Sequence, residues 1–119
     1  MRILIVDDDN DTLFLAKFYF QRKGWQVATA DNCSHIMETI AAAKPDVIVM
    51  DNSVPDEGGI VTTQKIKSIY NSIPVIFCSA NNNIELITEE AGADTYIRKP
   101  FDISRLEQMA IHITGEKVF

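Results

Sequence analysis

Residues 45–59 read PDVIVMDNSVPDEGG. Val47, Ile48, Val49 and Met50 are consecutive apolar residues without alternation, bounded by Pro45 on one side and by Asp51 and Pro55 on the other. Such a run suits a strand buried on both faces of a parallel sheet. Asp51 is the discordant residue, because an acid that ends a buried strand has no helix cap to account for it. Working outward, 3–6 and 75–78 are runs of the same kind, 96–97 is a shorter one, and 26–30 reads as a weaker strand.

Stretches with helical spacing separate these runs, at 12–23, 34–43, 60–70, 84–91 and 104–113. Pro45 and Pro74 stand just before strands and Pro55 and Pro100 just after strand ends, so no proline interrupts an element. Gly24, Gly92 and Gly115 follow helical stretches, where a left-handed cap residue is expected. Five strand–helix units predict an α/β fold, a doubly wound parallel sheet with right-handed crossovers and helices on both faces.

The chain has 119 residues, 46% hydrophobic and 24% charged, with a formal charge of −6. That is the balance and length of one globular domain, 1–119, with no room for a second substrate-binding or DNA-binding domain. The acidic excess argues against nucleic acid, whose phosphates need clustered Lys and Arg. The apolar run at 3–6 stops at three aspartates, too short for a signal-peptide core or a membrane span. Cys33 and Cys78 lack metal-ligand spacing and are expected to be reduced thiols packed as small apolar residues, which suits the cytoplasm. Residues 116–119 are expected to fray.

In a doubly wound sheet, ligands bind beyond the carboxyl ends of the strands. Those ends carry Asp7-Asp8-Asp9, Asp51, Ser79 and Lys99. Carboxylates gathered on one rim repel one another unless a counter-charge is present, and Mg²⁺ takes such oxygen ligands. Asp9, Asn10 and Asp11 are candidates for a plain helix cap and first turn. The loop after the first strand is acidic rather than rich in Gly, Ser or Thr, which excludes a nucleotide-phosphate loop. His35 and His112 fall on helices rather than strand ends and read as surface residues.

Residues 13–20, LFLAKFYF, contain one charged group, Lys17. A surface helix needs an apolar stripe rather than an apolar cylinder, so some of Phe14, Leu15, Phe18 and Tyr19 must face outward. Loosely exposed surface and a docking or dimer patch are both open readings.

With ILIVDDDN (3–10), PDVIVMDNSVPDEGG (45–59), PVIFCSA (74–80) and TYIRKPF (95–101) in this order, the sequence resembles the receiver domains of bacterial two-component response regulators. The resemblance implies a flavodoxin-like, CheY-like sheet of strand order 2-1-3-4-5 with five helices. It further implies a signalling switch rather than an enzyme, one that supports its own phosphotransfer and slow autodephosphorylation. Asp51 matches the aspartate that accepts a phosphoryl group from a phosphohistidine. Asp8 matches the direct Mg²⁺ ligand, Asp7 its partner acting through metal-bound water, and Ser53 the residue that lends a backbone carbonyl. Mn²⁺ and Ca²⁺ are the expected substitutes. Ser79 matches the switch hydroxyl, Lys99 the lysine that pairs with the phosphoryl group, and Tyr96 the aromatic that couples the site to a partner-binding face. The Lys99–Pro100 peptide is implied to be cis.

The implied partners are a sensor histidine kinase or histidine phosphotransfer protein, with Asp11, Thr12, Leu15, Phe18 and Tyr19 at the docking positions. An unidentified downstream target and a homodimer of the phosphorylated form are also implied, and contact with nucleic acid or membrane is not. Ser79 replaces the commoner Thr and keeps the hydroxyl. Ser53 and Asn81 occupy positions that tune hydrolysis; both are small and polar, so hydrolysis is not expected to be exceptionally slow. Asp56 and Glu57 make the loop after Asp51 more acidic and are expected to slow an anionic donor. A haloacid-dehalogenase-type phosphohydrolase fits less well, since Asp7-x-Asp9 is followed at the last motif position by Asp11. A degenerate receiver fits less well because every site residue is retained. Three carboxylates against one ammonium leave the pocket at a formal −2, which one divalent cation would neutralise.

Overall fold

Strand and helix alternate through the chain in the computed structural model, which describes residues 1–115. The elements are β1 (Arg2–Val6), α1 (Asn10–Arg22), β2 (Gln26–Ala30), α2 (Ile36–Ala43), β3 (Val47–Asp51), α3 (Gly58–Ile69), β4 (Val75–Ser79), α4 (Ile84–Ala91), β5 (Thr95–Arg98) and α5 (Ile103–Thr114). Residues 116–119, where fraying was expected, lie outside the described residues. The five strands form one sheet in the order β2-β1-β3-β4-β5, all pairs parallel. No helix among the described residues is long and apolar enough to cross a membrane.

Successive residues of a strand face opposite sides, and here both sides are covered. Ile3, Ile5, Val47, Val49 and Ile76 pack with Leu13, Ala16 and Phe20 of α1 and with Leu106 and Ala110 of α5. Leu4, Val6, Ile48, Met50 and Phe77 pack on the other side with Ile36, Ile40, Ile66 and Ala91 from α2, α3 and α4. This double cover is why the central strands are unbroken apolar runs. The edge strand β2 is only half-buried along most of its length, which accounts for its weaker sequence signal.

Register sets the site. Val6 pairs with Met50, Asp51 with Cys78 and Ser79 with Arg98, so the strands end at one level. Asp9 caps α1, its carboxylate accepting the Asp11 N–H at 3.1 Å and the Thr12 hydroxyl at 2.7 Å. The Lys99–Pro100 peptide is cis. Gly24 and Gly92 are left-handed, with φ of 88° and 76°. Gly115 is not: its φ is −70° and its N–H reaches His112 O, so it tightens the last turn of α5 instead of reversing the chain. The other left-handed helix end is Lys44, with φ of 48° after α2.

Candidate functional site

The carboxyl ends of β1, β3 and β4 and the residue after β5 converge on one rim. Asp51 is the last residue of β3 and only 3% exposed; Asp7 follows β1 and is 5% exposed; Asp8 beside it is open to solvent. Each offers a carboxylate oxygen within 4.8 Å of the others. Backbone pairing continues past the strands and fixes these positions: Asp7 N–H donates to Ala30 O at 3.0 Å and Asn52 N–H to Cys78 O at 2.9 Å. Lys99 is placed the same way, its N–H donating to Ser79 O at 2.9 Å. Its ammonium then ion-pairs with Asp51 Oδ1 and lies 3.4 Å from Asp7 Oδ2.

The electrostatics follow from burial. Desolvation pushes the Asp7 carboxyl above its ordinary range; the Asp9 N–H opposes this, the Asp51 charge adds to it, and Lys99 opposes it. Burial also works against the Lys99 ammonium, but its hydrogen bond and attraction to Asp51, with help from Asp7, hold it above the usual lysine value. The three carboxylates form an all-oxygen donor set, and that chemistry fits a hard divalent cation such as Mg²⁺.

The Asp51 carboxylate is held on its second oxygen as well. Asp51 Oδ2 accepts the Ser53 N–H at 3.1 Å and the Ser53 hydroxyl at 2.5 Å. Ser79, at the end of β4, accepts the Asn81 N–H on its hydroxyl at 3.0 Å. Asn81 organises the following loop: its side-chain oxygen accepts the Asn83 N–H at 2.8 Å, and its carbonyl accepts Ile84 N–H and Arg98 Nη1, each at 3.2 Å. Tyr96 is half-buried against the cluster on the α2–α4 side of the sheet.

Two features of the loop after β3 and the start of α3 escaped the sequence reading. Gly59 approaches the end of β3 so closely that a Cβ would stand 2.6 Å from Asp51 O. Glu57 is turned onto α3, where it accepts Thr62 Oγ1 at 2.9 Å and Lys65 Nζ at 2.5 Å. Lys65 holds its carboxyl below the ordinary range against the pull of burial, with Thr62 helping. Its charge therefore has a partner, whereas Asp56 is exposed. The doubled glycine at 58–59 was the available signal for the first feature.

Beside the rim, Phe14, Leu15 and Phe18 are 69%, 65% and 54% exposed, and the Arg22 guanidinium lies 5.4 Å from the Phe18 ring centroid. Tyr19 turns instead towards α5, its hydroxyl donating to Glu107 Oε1 at 2.6 Å. A groove lined by Leu15, Phe18, Tyr19, Phe101 and Ile103 runs up to Asp51 and Lys99. Asp11 is exposed and Thr12 half-buried at the head of α1, next to the acids. His35, which pairs with Glu38 at 3.2 Å, and His112 are exposed on helices and take no part in the site. Cys33 and Cys78 are free and buried.

Residues 3–111 match the family model described as the response regulator receiver domain. Sporulation initiation phosphotransferase F of Bacillus subtilis is 33% identical over 107 residues, covering 88% of this chain and 86% of that protein. The transcriptional regulatory protein PrrA of Mycobacterium bovis is also 33% identical over 107 residues, again 88% of this chain. There the matched region is 46% of the relative, so the chain spans about half the length of PrrA. Among solved structures, a CheY-like response regulator receiver domain protein from Methanospirillum hungatei superposes with a TM-score of 0.88 at 26% identity, over 97% of this chain and 94% of that one. The receiver domain of NtrX from Brucella abortus gives 0.85 at 26% identity, over 95% and 98%.

Proposed function

Since the chain belongs to the response regulator receiver domain family, whose members are signalling proteins acted on by sensor kinases or phosphotransfer proteins, we propose that Asp51 is its phospho-acceptor. The observation that carries this reading is a carboxylate 3% exposed at the end of β3, paired with Lys99 and grouped with Asp7 and Asp8. The phosphoryl group passes from a phosphohistidine nitrogen to a carboxylate oxygen of Asp51, exchanging a P–N bond for a P–O bond.

Phosphoryl transfer asks the protein chiefly for positioning and charge stabilisation. Register through β4 brings Asp51 at the end of β3 and Lys99 just after β5 to one rim, and Lys99 remains an ammonium that offsets charge on the equatorial oxygens. Asp7, Asp8, Asp51 and the Ser53 carbonyl are the groups that would hold Mg²⁺, which supplies Lewis-acid neutralisation of the phosphoryl oxygens. Ser79 then turns its hydroxyl to donate to a phosphoryl oxygen, a rotation that gives up the Asn81 N–H it accepts at rest, frees the loop that Asn81 organises and shifts the population of its conformers. Tyr96, on β5 beside that loop, carries the change to the face formed by α4, β5 and α5. Water finally hydrolyses the acyl phosphate, past the small side chains of Ser53 and Asn81. Docking of the phosphohistidine-bearing partner falls to Asp11, Thr12, Leu15, Phe18 and Tyr19 beside the acids.

The test is intact-mass analysis after incubation with Mg²⁺ and acetyl phosphate. One phosphoryl adduct on the protein and none on Asp51→Asn supports the reading. No adduct on either protein overturns it in favour of a degenerate receiver, and phosphomonoester turnover that survives Asp51→Asn overturns it in favour of a hydrolase.

A further inference from the structure

Both oxygens of the Asp51 carboxylate carry protein donors. Oδ1 is paired with Lys99, and Oδ2 accepts the backbone N–H and the hydroxyl of Ser53. A carboxylate offers about two lone-pair sites on each oxygen, so Oδ2 is filled by one residue. The donors differ in how readily they leave. Lys99 answers two acids at once, and its loss would leave like charges facing each other in a buried rim. The Ser53 N–H belongs to the turn that carries the chain away from β3. The Ser53 hydroxyl, by contrast, is released by one side-chain torsion, and the residue is exposed, so water can take its place.

We propose that the Ser53 hydroxyl is a removable cap on Oδ2 of Asp51, which a divalent cation must displace to bond that carboxylate, so that this side chain sets the cation affinity of the site. The inference rests on the reading of Asp7, Asp8 and Asp51 as a Mg²⁺ site and goes beyond it. The hydroxyl competes with the cation, whereas the carbonyl of the same residue is one of its expected ligands. A hydroxyl that instead assisted the cation would give the opposite sign on removal.

Isothermal titration of MgCl₂ into the wild-type chain, Ser53→Ala, Ser53→Thr and Asp8→Asn separates these cases. Ser53→Ala keeps the backbone N–H and loses the competitor. It should lower the Kd for Mg²⁺ by about tenfold, the scale of one charge-assisted hydrogen bond partly offset by water. Ser53→Thr retains a hydroxyl and should stay close to the wild type. In an Asp51→Asn background, Ser53→Ala should produce no such gain, because the capped carboxylate is gone. An unchanged or raised Kd in Ser53→Ala overturns the proposal, as does equal tightening in Ser53→Thr. Thermal melts of each variant show that it is folded. If the wild type shows no Mg²⁺ binding that Asp8→Asn removes, the metal-site reading itself fails and the cap falls with it. Asp8-dependent binding that is indifferent to Ser53 overturns the cap alone.

Discussion

Gly59 shows how tightly a single position is specified around Asp51. A Cβ there would meet Asp51 O at 2.6 Å and Asn52 Cα at 3.0 Å, and both are backbone atoms. No rotamer can relieve that contact; either α3 moves out or the end of β3 moves in. Overpacking of this kind costs about 1–3 kcal/mol. Gly59→Ala should therefore lower stability by about that much in urea denaturation, and should reduce Asp51 phosphorylation by acetyl phosphate even at temperatures where the variant stays folded. A variant as stable and as reactive as the wild type would show that the approach of α3 to β3 is looser than a 2.6 Å contact requires.

At the scale of elements, α1 has two faces with different duties. Leu13, Ala16 and Phe20 are buried against the sheet, while Leu15 and Phe18 stand in water at the lip of the acidic rim. Replacing Leu15 and Phe18 together by Ala should leave thermal stability nearly unchanged and phosphorylation by acetyl phosphate intact. Transfer from a phosphorylated histidine-containing partner should weaken about tenfold or more in kcat/KM, since exposed apolar anchors carry much of an interface's energy. Unchanged transfer from that partner would remove α1 from the docking surface. In α3, the lowered Glu57 carboxyl gives a contribution with a defined pH sense. It is present above the ordinary glutamate range and is lost as pH falls through the folded value. Glu57→Gln should thus cost about 1 kcal/mol at neutral pH, and the gap from the wild type should close on acidification in pH-dependent urea melts.

For the molecule as a whole, strand order matters most. The order β2-β1-β3-β4-β5 reverses direction at β1 and β3, and there the rim opens beside Asp7 and Asp51. A cation bound at that junction favours the folded state by mass action. Mg²⁺ at about ten times its Kd should add about 1.4 kcal/mol, a rise of several degrees in Tm that Asp8→Asn abolishes. The sheet was legible in sequence because residues 47–50 and 75–78 are apolar without break and end in polar groups; residues 26–30 were fainter because β2 is half-buried. The rim residues were legible because strand ends and acids coincide at 7–9 and 51. What stayed hidden depends on choices that composition does not record. Lys44 adopts φ of 48° though nothing marks a lysine for it, and Gly115 continues a turn although its position suggested a reversal. Glu57 counted as free charge until the fold brought Lys65 and Thr62 to it, and the Ser53 hydroxyl contact is a rotamer.

Cys78 pairs in register with Asp51 at the centre of the sheet, and Cys33 is a buried residue of the loop after β2. Burial pushes both thiols above their ordinary range, so the reactive thiolate is scarce while the chain is folded. An alkylating reagent must wait for the structure to open, and the rate of labelling then measures how often it does. The two cysteines are in effect an internal clock for native-state opening, with Cys78 timing β4, the strand paired to the one that carries Asp51. They also leave a silent background against which a third cysteine, placed on the loop after β4, would take a spectroscopic label alone.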